Sequence, residues 1–314
     1  MKTNSFFPMR RLPCVLPFAA LLALALGASP RAARAQIYVS SNGMIGEYDA
    51  TTGAPIKNPL VSRVSAGQLA VSGNNLFNAT YPNAIGEYNA TTGATINASF
   101  ITGLGAPQGI AISGSSLFVA NSSSGKIGEY NATTGTPINA SFVSGLSTPI
   151  GIAVSGNDLF VVNIGSRTIG EYDATTGATI TSSLLSASPQ ALSIAISNND
   201  LYLGNANGTI GEYDATTGAT INASLVSGLG VNCLIAVSGN DLYSVSEISN
   251  GVIGEYDATT GAPINPSLVS GLHFPAGIAV VSAIPEPSSW ALLVGCAAFL
   301  FVAVGRRVRS GTAV

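Results

Sequence analysis

Short apolar runs alternate with turn residues along most of this chain. Between residues 150 and 192, apolar runs occupy 151–155, 159–162, 168–172 and 178–184. A Gly-Asn-Asp turn at 156–158 separates the first two runs, and Asp-Ala-Thr-Thr-Gly at 173–177 separates the last two. Runs of this length, bounded by turn residues, predict four antiparallel strands joined by hairpins.

The same pattern returns six times. Residues 45–53 read Ile-Gly-Glu-Tyr-Asp-Ala-Thr-Thr-Gly, and closely similar segments follow later in the chain. Their tyrosines lie 40 to 43 residues apart, at Tyr48, Tyr88, Tyr130, Tyr172, Tyr213 and Tyr256. A period of about 40–45 residues is the length of one four-stranded propeller blade. The repeat therefore predicts an all-β fold of six blades.

The two ends of the repeat region predict how the ring closes. After residue 35 the pattern begins with a second strand, around Tyr38, and it ends with a lone first strand at 277–282. We expect blade 1 to take three strands from the N-terminal end and its innermost strand from the C-terminal end. Such a 3+1 closure removes an open sheet edge. The pattern resembles the NHL and YVTN propeller families over nearly all of residues 36–283.

One position departs from that resemblance. The third strand of those families usually alternates apolar residues, whereas every repeat here carries glutamate at the second such position: Glu47, Glu87, Glu129, Glu171, Glu212 and Glu255. The domain has only four basic residues, too few to pair with six glutamates. An unpaired buried carboxylate is costly. We therefore expect these side chains to be solvated or bonded to backbone near the rim, with a cation-binding ring as the alternative.

The Asp-Ala-Thr-Thr-Gly segment is better explained by turn formation than by calcium binding. Its aspartate can accept backbone N–H bonds from residues two and three positions ahead. The aspartate becomes asparagine at Asn89 and Asn131, which keeps the acceptor and loses the charge. A turn tolerates that exchange, whereas a calcium site would be weakened by it.

The N-terminal segment, residues 1–35, is predicted to be a helical signal peptide. Basic residues lead into an apolar run at 15–26, and residues 33–35 offer the small-x-small pattern of a signal peptidase site. Cleavage is expected between Ala35 and Gln36. An uncleaved membrane anchor is the alternative.

The C-terminal segment, residues 284–314, carries three ordered elements. They are a Pro-Glu-Pro motif at 284–288, an apolar stretch at 289–305 and a basic tail at 306–314. The stretch is long enough for a short transmembrane helix, and the basic tail would stay cytoplasmic. An ordinary tail anchor is one interpretation of this order.

The same order resembles the PEP-CTERM sorting signal of Gram-negative bacteria. The matching residues are Pro285, Glu286, Pro287, Arg306 and Arg307. The resemblance implies recognition by an exosortase, an inner-membrane-anchored precursor, and a product at the cell surface or in the extracellular matrix. It also implies an association with exopolysaccharide and biofilm production.

Charge and cysteine content narrow the function further. Residues 36–283 contain fourteen acidic and four basic residues, a net charge near −10, although the whole chain carries −3. So negative a domain would repel phosphate backbones, which disfavours nucleic acid as a partner. Cys233 is the one cysteine in the domain, which excludes an internal disulfide there.

The loops indicate where a ligand could bind. The first-to-second and third-to-fourth turns repeat almost unchanged, whereas the loops at the opposite ends of the strands differ between blades. Divergent loops are free to acquire contacts. The predicted ligand face contains Tyr81, Gln108, Gln190, Glu247, His273 and Phe274.

We expect a non-catalytic protein, without metal or cofactor, that binds extracellular polysaccharide or a surface protein. A purely structural matrix protein is a second interpretation. The competing class is a lactonase- or lyase-like enzyme with a site on the varied loops or in the central channel. His273 is the chain's single histidine, which excludes a multi-histidine metal site. A Cys233–His273 nucleophile pair, with both residues in loops, is a further alternative.

Overall fold

The computed structural model describes residues 35–80, 82–187, 190–231, 233–246 and 251–282. These residues form six four-stranded antiparallel sheets, which confirms the predicted all-β architecture of six blades. The expected signal helix and transmembrane helix lie outside the described residues. Across the described ranges, no helix has the length and apolar character needed to cross a membrane.

Each blade contains four strands in the predicted order. The first strands are β4 (Leu69–Ser72), β8 (Pro107–Ser113), β12 (Pro149–Ser155), β16 (Ala191–Ser197), β20 (Cys233–Ser238) and β24 (Pro275–Val281). The second strands are β1 (Gln36–Ser41), β5 (Asn75–Thr80), β9 (Ser116–Asn121), β13 (Asp158–Asn163), β17 (Asp200–Asn205) and β21 (Asp241–Ser246). The third strands are β2 (Met44–Asp49), β6 (Ala84–Asn89), β10 (Lys126–Asn131), β14 (Thr168–Asp173), β18 (Ile210–Asp214) and β22 (Gly251–Asp257). The fourth strands are β3 (Pro55–Ser62), β7 (Thr95–Ile101), β11 (Pro137–Ser144), β15 (Thr179–Ser186), β19 (Thr220–Val226) and β23 (Pro263–Leu272).

The first strands line the axis of a closed ring. Each of them contacts the first strands of both neighbouring blades, and β24 contacts both β20 and β4. Blade 1 has the order β24-β1-β2-β3, and Tyr38 of β1 pairs with Ala279 of β24. The last described strand therefore closes the ring by pairing with the first, as the sequence predicts. This pairing removes the edge that an open stack of sheets would expose.

The core lies between the blades. Between blades 3 and 4, for example, Phe118 and Ile127 of blade 3 pack in one buried cluster with Leu159 and Tyr172 of blade 4. Equivalent clusters fill the other spaces between blades. Both sheet faces of each blade are therefore covered by its two neighbours. Side chains on either face of the second and third strands become buried as a result.

Close contacts explain the glycines of the repeated segment. A Cβ atom on Gly170 would lie 2.6 Å from the hydroxyl oxygen of Tyr172, because the tyrosine ring folds back over that glycine. Gly177 has a φ of 73°, and a Cβ there would lie 2.2 Å from the carbonyl oxygen of Phe142 in blade 3. The first glycine makes room for a ring, and the second lets the turn pack against the preceding blade.

Candidate functional site

The two ends of the strands form two different faces. One face, here called the repeat face, carries the first-to-second turns and the third-to-fourth turns, and each third-to-fourth turn has five residues. The opposite face, here called the varied face, carries loops of unequal length. Its described loop residues are 42–43, 63–68, 82–83, 102–106, 122–125, 145–148, 164–167, 187, 190, 206–209, 227–231 and 273–274.

The repeat face is held by its own turns. In blade 4 the Asp173 carboxylate accepts hydrogen bonds from the backbone N–H of Thr175 (2.9 Å) and Thr176 (2.7 Å), and from the Thr176 hydroxyl (2.9 Å). These bonds lower the pKa of Asp173. In blade 3 the side-chain oxygen of Asn131 accepts the same three bonds. The aspartate therefore acts as a turn residue, as the sequence predicts.

The varied face opens into a cavity on the axis. Its volume is about 430 Å³, and each of the six blades contributes to its wall. The lining residues are Ala66, Gly67, Gln68, Ala79, Pro107, Gln108, Ile150, Leu192, Leu234 and Ala276. Volumes of this order are typical of small-ligand sites. The cavity is the structural feature that best fits a binding site on this face.

The cavity wall has a polar side and an apolar side. The neighbouring blades 2 and 3 contribute the polar residues Gln68 and Gln108, whereas blades 4, 5 and 6 contribute Ile150, Leu192 and Leu234. None of the described lining residues has a titratable side chain. Such a wall can donate and accept hydrogen bonds and can cover apolar surface. The described side chains of this wall include no general acid, general base or nucleophile.

The residues predicted to bind a ligand do not lie together in one cavity. Gln108 is exposed and lines the axial cavity. His273 is exposed and lines a second cavity of about 430 Å³ between blades 6 and 1. Gln190 is half-buried, and its backbone carbonyl accepts a bond from the N–H of Ala206. Tyr81 and Glu247 lie outside the described residues.

Phe274 is the most exposed large apolar side chain among the described residues, at 62%. Its φ of 50° is uncommon for a residue with a bulky side chain. Ala106 and Thr148 occupy the equivalent position before a first-strand proline in blades 3 and 4, and they also have positive φ. The varied face therefore combines the exposed aromatic side chain of Phe274 with several strained backbone positions, as binding surfaces often do.

Gln68 is a site residue that the sequence analysis missed. It lies just before β4, and its carbonyl accepts a bond from the N–H of Ala79, another lining residue. Its position directly before the first strand of blade 2 is close to that of Gln108 in blade 3. Gln68 lies two residues before Ala70 and Gln108 three residues before Ala111, and this similar distance from the alanine of the first strand was the available signal.

The six glutamates are buried, so the expectation of solvated side chains near the rim is wrong. Their exposure ranges from 3% to 9%, because the next blade covers the sheet face on which they stand. In blade 3 the Ser116 hydroxyl donates to a Glu129 carboxylate oxygen at 2.7 Å. Burial raises the pKa of Glu87, Glu171, Glu212 and Glu255.

The described residues do not support the alternative of a cation-binding ring. Among the described residues, no group of three or more histidine, cysteine, aspartate or glutamate side chains is arranged to hold a metal ion. Each glutamate lies instead in its own space between two blades.

The structure also corrects the placement of Cys233. This residue begins strand β20 and is 1% exposed, so the prediction that it lies in a loop is wrong. Burial raises the pKa of its thiol to about 12, so the reactive thiolate is strongly disfavoured. Cys233 lines a cavity between blades 5 and 6, and His273 lines the one between blades 6 and 1. These are two different cavities.

Comparison with known proteins supports the fold. A family model described as outer membrane protein assembly factor BamB matches residues 85–228, which run from the third strand of blade 2 into the loop after blade 5. The chain contains a propeller with a BamB-like segment. No curated protein matches it. The family that matches is neither NHL nor YVTN. The resemblance to those two families predicted a propeller, and only this fold is confirmed.

Two solved structures share the fold over most of the chain. A chain in the crystal structure of a nidogen/laminin complex superposes with a TM-score of 0.65 and 15% identity, covering 80% of this chain and 99% of that chain. The crystal structure of the computationally designed Ika8 protein gives 0.50 and 17%, covering 79% and 77%. Identities this low show the architecture alone.

Proposed function

We propose that this protein is an exported, non-catalytic propeller that binds a neutral polysaccharide of the cell surface or extracellular matrix through the axial cavity of its varied face. The observation that carries this proposal is the cavity wall. It brings two glutamines and three branched apolar residues to one site without a titratable group among the described lining residues. Hydroxyl groups of a neutral sugar can pair with the carboxamides, and C–H surfaces can pack on Ile150 and Leu192.

The charge of the domain favours a neutral ligand. Residues 36–283 carry fourteen acidic and four basic residues, so an acidic polymer would be repelled. The predicted signal peptide and sorting signal support export. The name of the matching family, which refers to the outer membrane, supports the same compartment. Processing by signal peptidase and an exosortase belongs to this proposal.

The test measures binding of the purified full-length chain to a neutral glucan and to a uronic acid polymer by calorimetry. We expect binding to the neutral polymer and little binding to the acidic one. The double variant Gln68→Ala/Gln108→Ala should lose about five- to 150-fold in affinity, because each of the two lost hydrogen bonds contributes about 0.5–1.5 kcal/mol. Gln190→Ala is the matched control, since it removes a carboxamide of the same face that does not line the cavity.

Three outcomes would contradict the proposal. Equal affinity of the double variant and the wild type would show that the axial cavity is not the binding site. If the chain bound a protein and no glycan, the proposed ligand class would be wrong. A stoichiometric divalent ion in the purified protein would favour the enzymatic alternative.

A further inference from the structure

The outer rim of the ring carries a repeated apolar side chain. Seven large hydrophobic residues of the described chain are exposed, and five of them occupy the same position in the fourth strands of blades 2 to 6. They are Ile96, Ile138, Ile180, Ile221 and Ile264, with exposures of 52% to 54%. Single exposed apolar residues are ordinary on proteins, but one at the same position of five of the six outermost strands forms a regular pattern.

These isoleucines lie on open sheet edges. Each fourth strand pairs with a third strand on one side only, so its other side carries no strand partner in the described structure. Proteins usually protect such edges with charged residues, proline or bulges. Register shifts occur in the fourth strands of all six blades, so bulges do not distinguish one blade from another.

Proline and charge do distinguish the blades. Blade 1 is the most protected, because β3 contains Pro55, Lys57 and Pro59. In blade 3, β11 begins with Pro137, and the Lys126 ammonium donates to the Ser141 hydroxyl at 3.0 Å. In blade 6, β23 contains two prolines. The fourth strands of blades 2, 4 and 5 contain neither proline nor a charged residue.

Two of these unprotected edges have the same exposed sequence and lie opposite each other. Strand β7 of blade 2 and strand β19 of blade 5 both begin Thr-Ile-Asn-Ala-Ser, and all five residues are exposed in both strands. Blades follow the chain order around the closed ring, so blades 2 and 5 are three positions apart. In a ring of six, this separation places the two edges at opposite ends of a diameter.

We propose that the edges β7 and β19 are contact sites between copies of this chain, which associate edge to edge into linear assemblies. Two identical edges can meet about a two-fold axis, and an edge at each end of a diameter allows the assembly to extend. The domain is strongly negative, so a second copy is repelled least where its neighbour presents no charge. Burial of Ile96 and Ile221 at the contact removes apolar surface from water.

The test compares sedimentation of the full-length chain with that of rim variants, all in the same mild detergent. We expect the wild-type sedimentation coefficient to rise with protein concentration, and to rise further with salt, because salt screens the negative charge. Ile96→Lys/Ile221→Lys should weaken association at least about tenfold, because it places like charges opposite each other at the edge.

Ile264→Lys is the matched control. It makes the same substitution at the equivalent, equally exposed position of blade 6, where the strand contains proline, and it should leave association unchanged. The termini are the same in every variant, so association through them would be unaffected by any of these changes. Circular dichroism and melting temperature should match the wild type, since the isoleucines are half exposed.

The single variant Ile96→Lys shows which edges pair with each other. If like edges pair with like, this variant should stop at dimers held by β19. If β7 pairs with β19, it should abolish association. A wild type that stays monomeric at high concentration, a double variant that associates normally, or a control that loses association as strongly as the double variant would each overturn the proposal.

Discussion

Blades 3 and 4 contain the same buried glutamate and differ in what stands beside it. In blade 3 the second strand begins with Ser116, whose hydroxyl donates to Glu129 at 2.7 Å. In blade 4 the equivalent residue is Asp158, whose charge adds to burial in raising the pKa of Glu171. The comparison shows that the first residue of the second strand decides whether the repeated glutamate gains a donor or meets a like charge.

This difference divides the whole ring. Blades 1 to 3 begin their second strands with the neutral residues Gln36, Asn75 and Ser116, and blades 4 to 6 begin theirs with Asp158, Asp200 and Asp241. In blades 5 and 6 the aspartate again adds to burial in raising the pKa of Glu212 and Glu255. In blade 6 the Tyr243 hydroxyl partly offsets this by bonding to Glu255.

We expect the largest effect from a substitution in blade 3 that places an aspartate beside the buried glutamate, as in blade 4. Ser116→Asp removes a hydrogen bond to a buried carboxylate and adds a like charge next to it. We expect a loss of about 1.5–3 kcal/mol in the free energy of unfolding at neutral pH, measured by urea denaturation. Ser115→Asp adds the same charge at the exposed neighbouring turn position. Equal losses in both variants would show that the Ser116–Glu129 bond is unimportant.

The reverse change, Asp158→Ser, should stabilise blade 4. It removes the like charge and offers Glu171 a hydroxyl donor, as in blade 3. We expect a gain of about 1 kcal/mol by the same measurement. Asp158→Ala relieves the repulsion without supplying a donor, so it should gain less. A destabilised Asp158→Ser protein would contradict this account of blade 4.

The third prediction concerns pH. The glutamates Glu171, Glu212 and Glu255 have folded-state pKa values above their ordinary value of 4.5, so the folded protein binds protons more readily than the unfolded chain. Stability should therefore be greatest in mild acid and should fall as the pH rises from about 4.5 through the raised values.

The turn aspartates act in the opposite direction at lower pH. Hydrogen bonds lower the pKa of Asp173 below its ordinary 3.8, so the stability this turn contributes is lost as the pH falls further. Melting temperature against pH should show a maximum between these two ranges. Burial is the larger cause of these raised pKa values, and the neighbouring aspartates add to it. The triple variant Asp158→Ser/Asp200→Ser/Asp241→Ser should therefore flatten part of the decline on the alkaline side, and an unchanged slope would show that the aspartates contribute nothing to it.

The smallest effect is expected from exchanging the turn residues of the two blades. Asp173→Asn should lower the melting temperature slightly at neutral pH and Asn131→Asp should raise it slightly, because either side chain accepts the same three bonds and only the carboxylate strengthens them with its charge. Asp173→Ala removes all three acceptor bonds and should lower the melting temperature measurably. A strong effect of Asp173→Asn would indicate that the charge has a role beyond the turn.

Much of the fold could be predicted from the repeat. The strands expected at 151–155 and 178–184 are β12 (Pro149–Ser155) and β15 (Thr179–Ser186), so the bounds agree within two residues. The closure by a C-terminal strand is also confirmed. Turn residues and short apolar runs are local signals, and a blade is built almost entirely from local hairpins.

The candidate site was predicted less completely. The varied face is present, and Gln108 lies in its axial cavity, but Gln68 was missed and His273 lines a different cavity. The loops are short and dissimilar, so their sequence does not show which residues face the axis. That direction depends on where each first strand enters the ring.

The number of blades, the order of strands and the pairing that closes the ring all follow from the repeated sequence pattern, because each of these depends on hairpins and a regular period. Which side chains are buried depends instead on how the blades pack together. Glu171 and Cys233 looked accessible on an isolated sheet, but stacking of the blades covers both sheet faces and removes these groups from water. Burial of this kind arises from contacts between residues of different blades, which a single repeat does not contain.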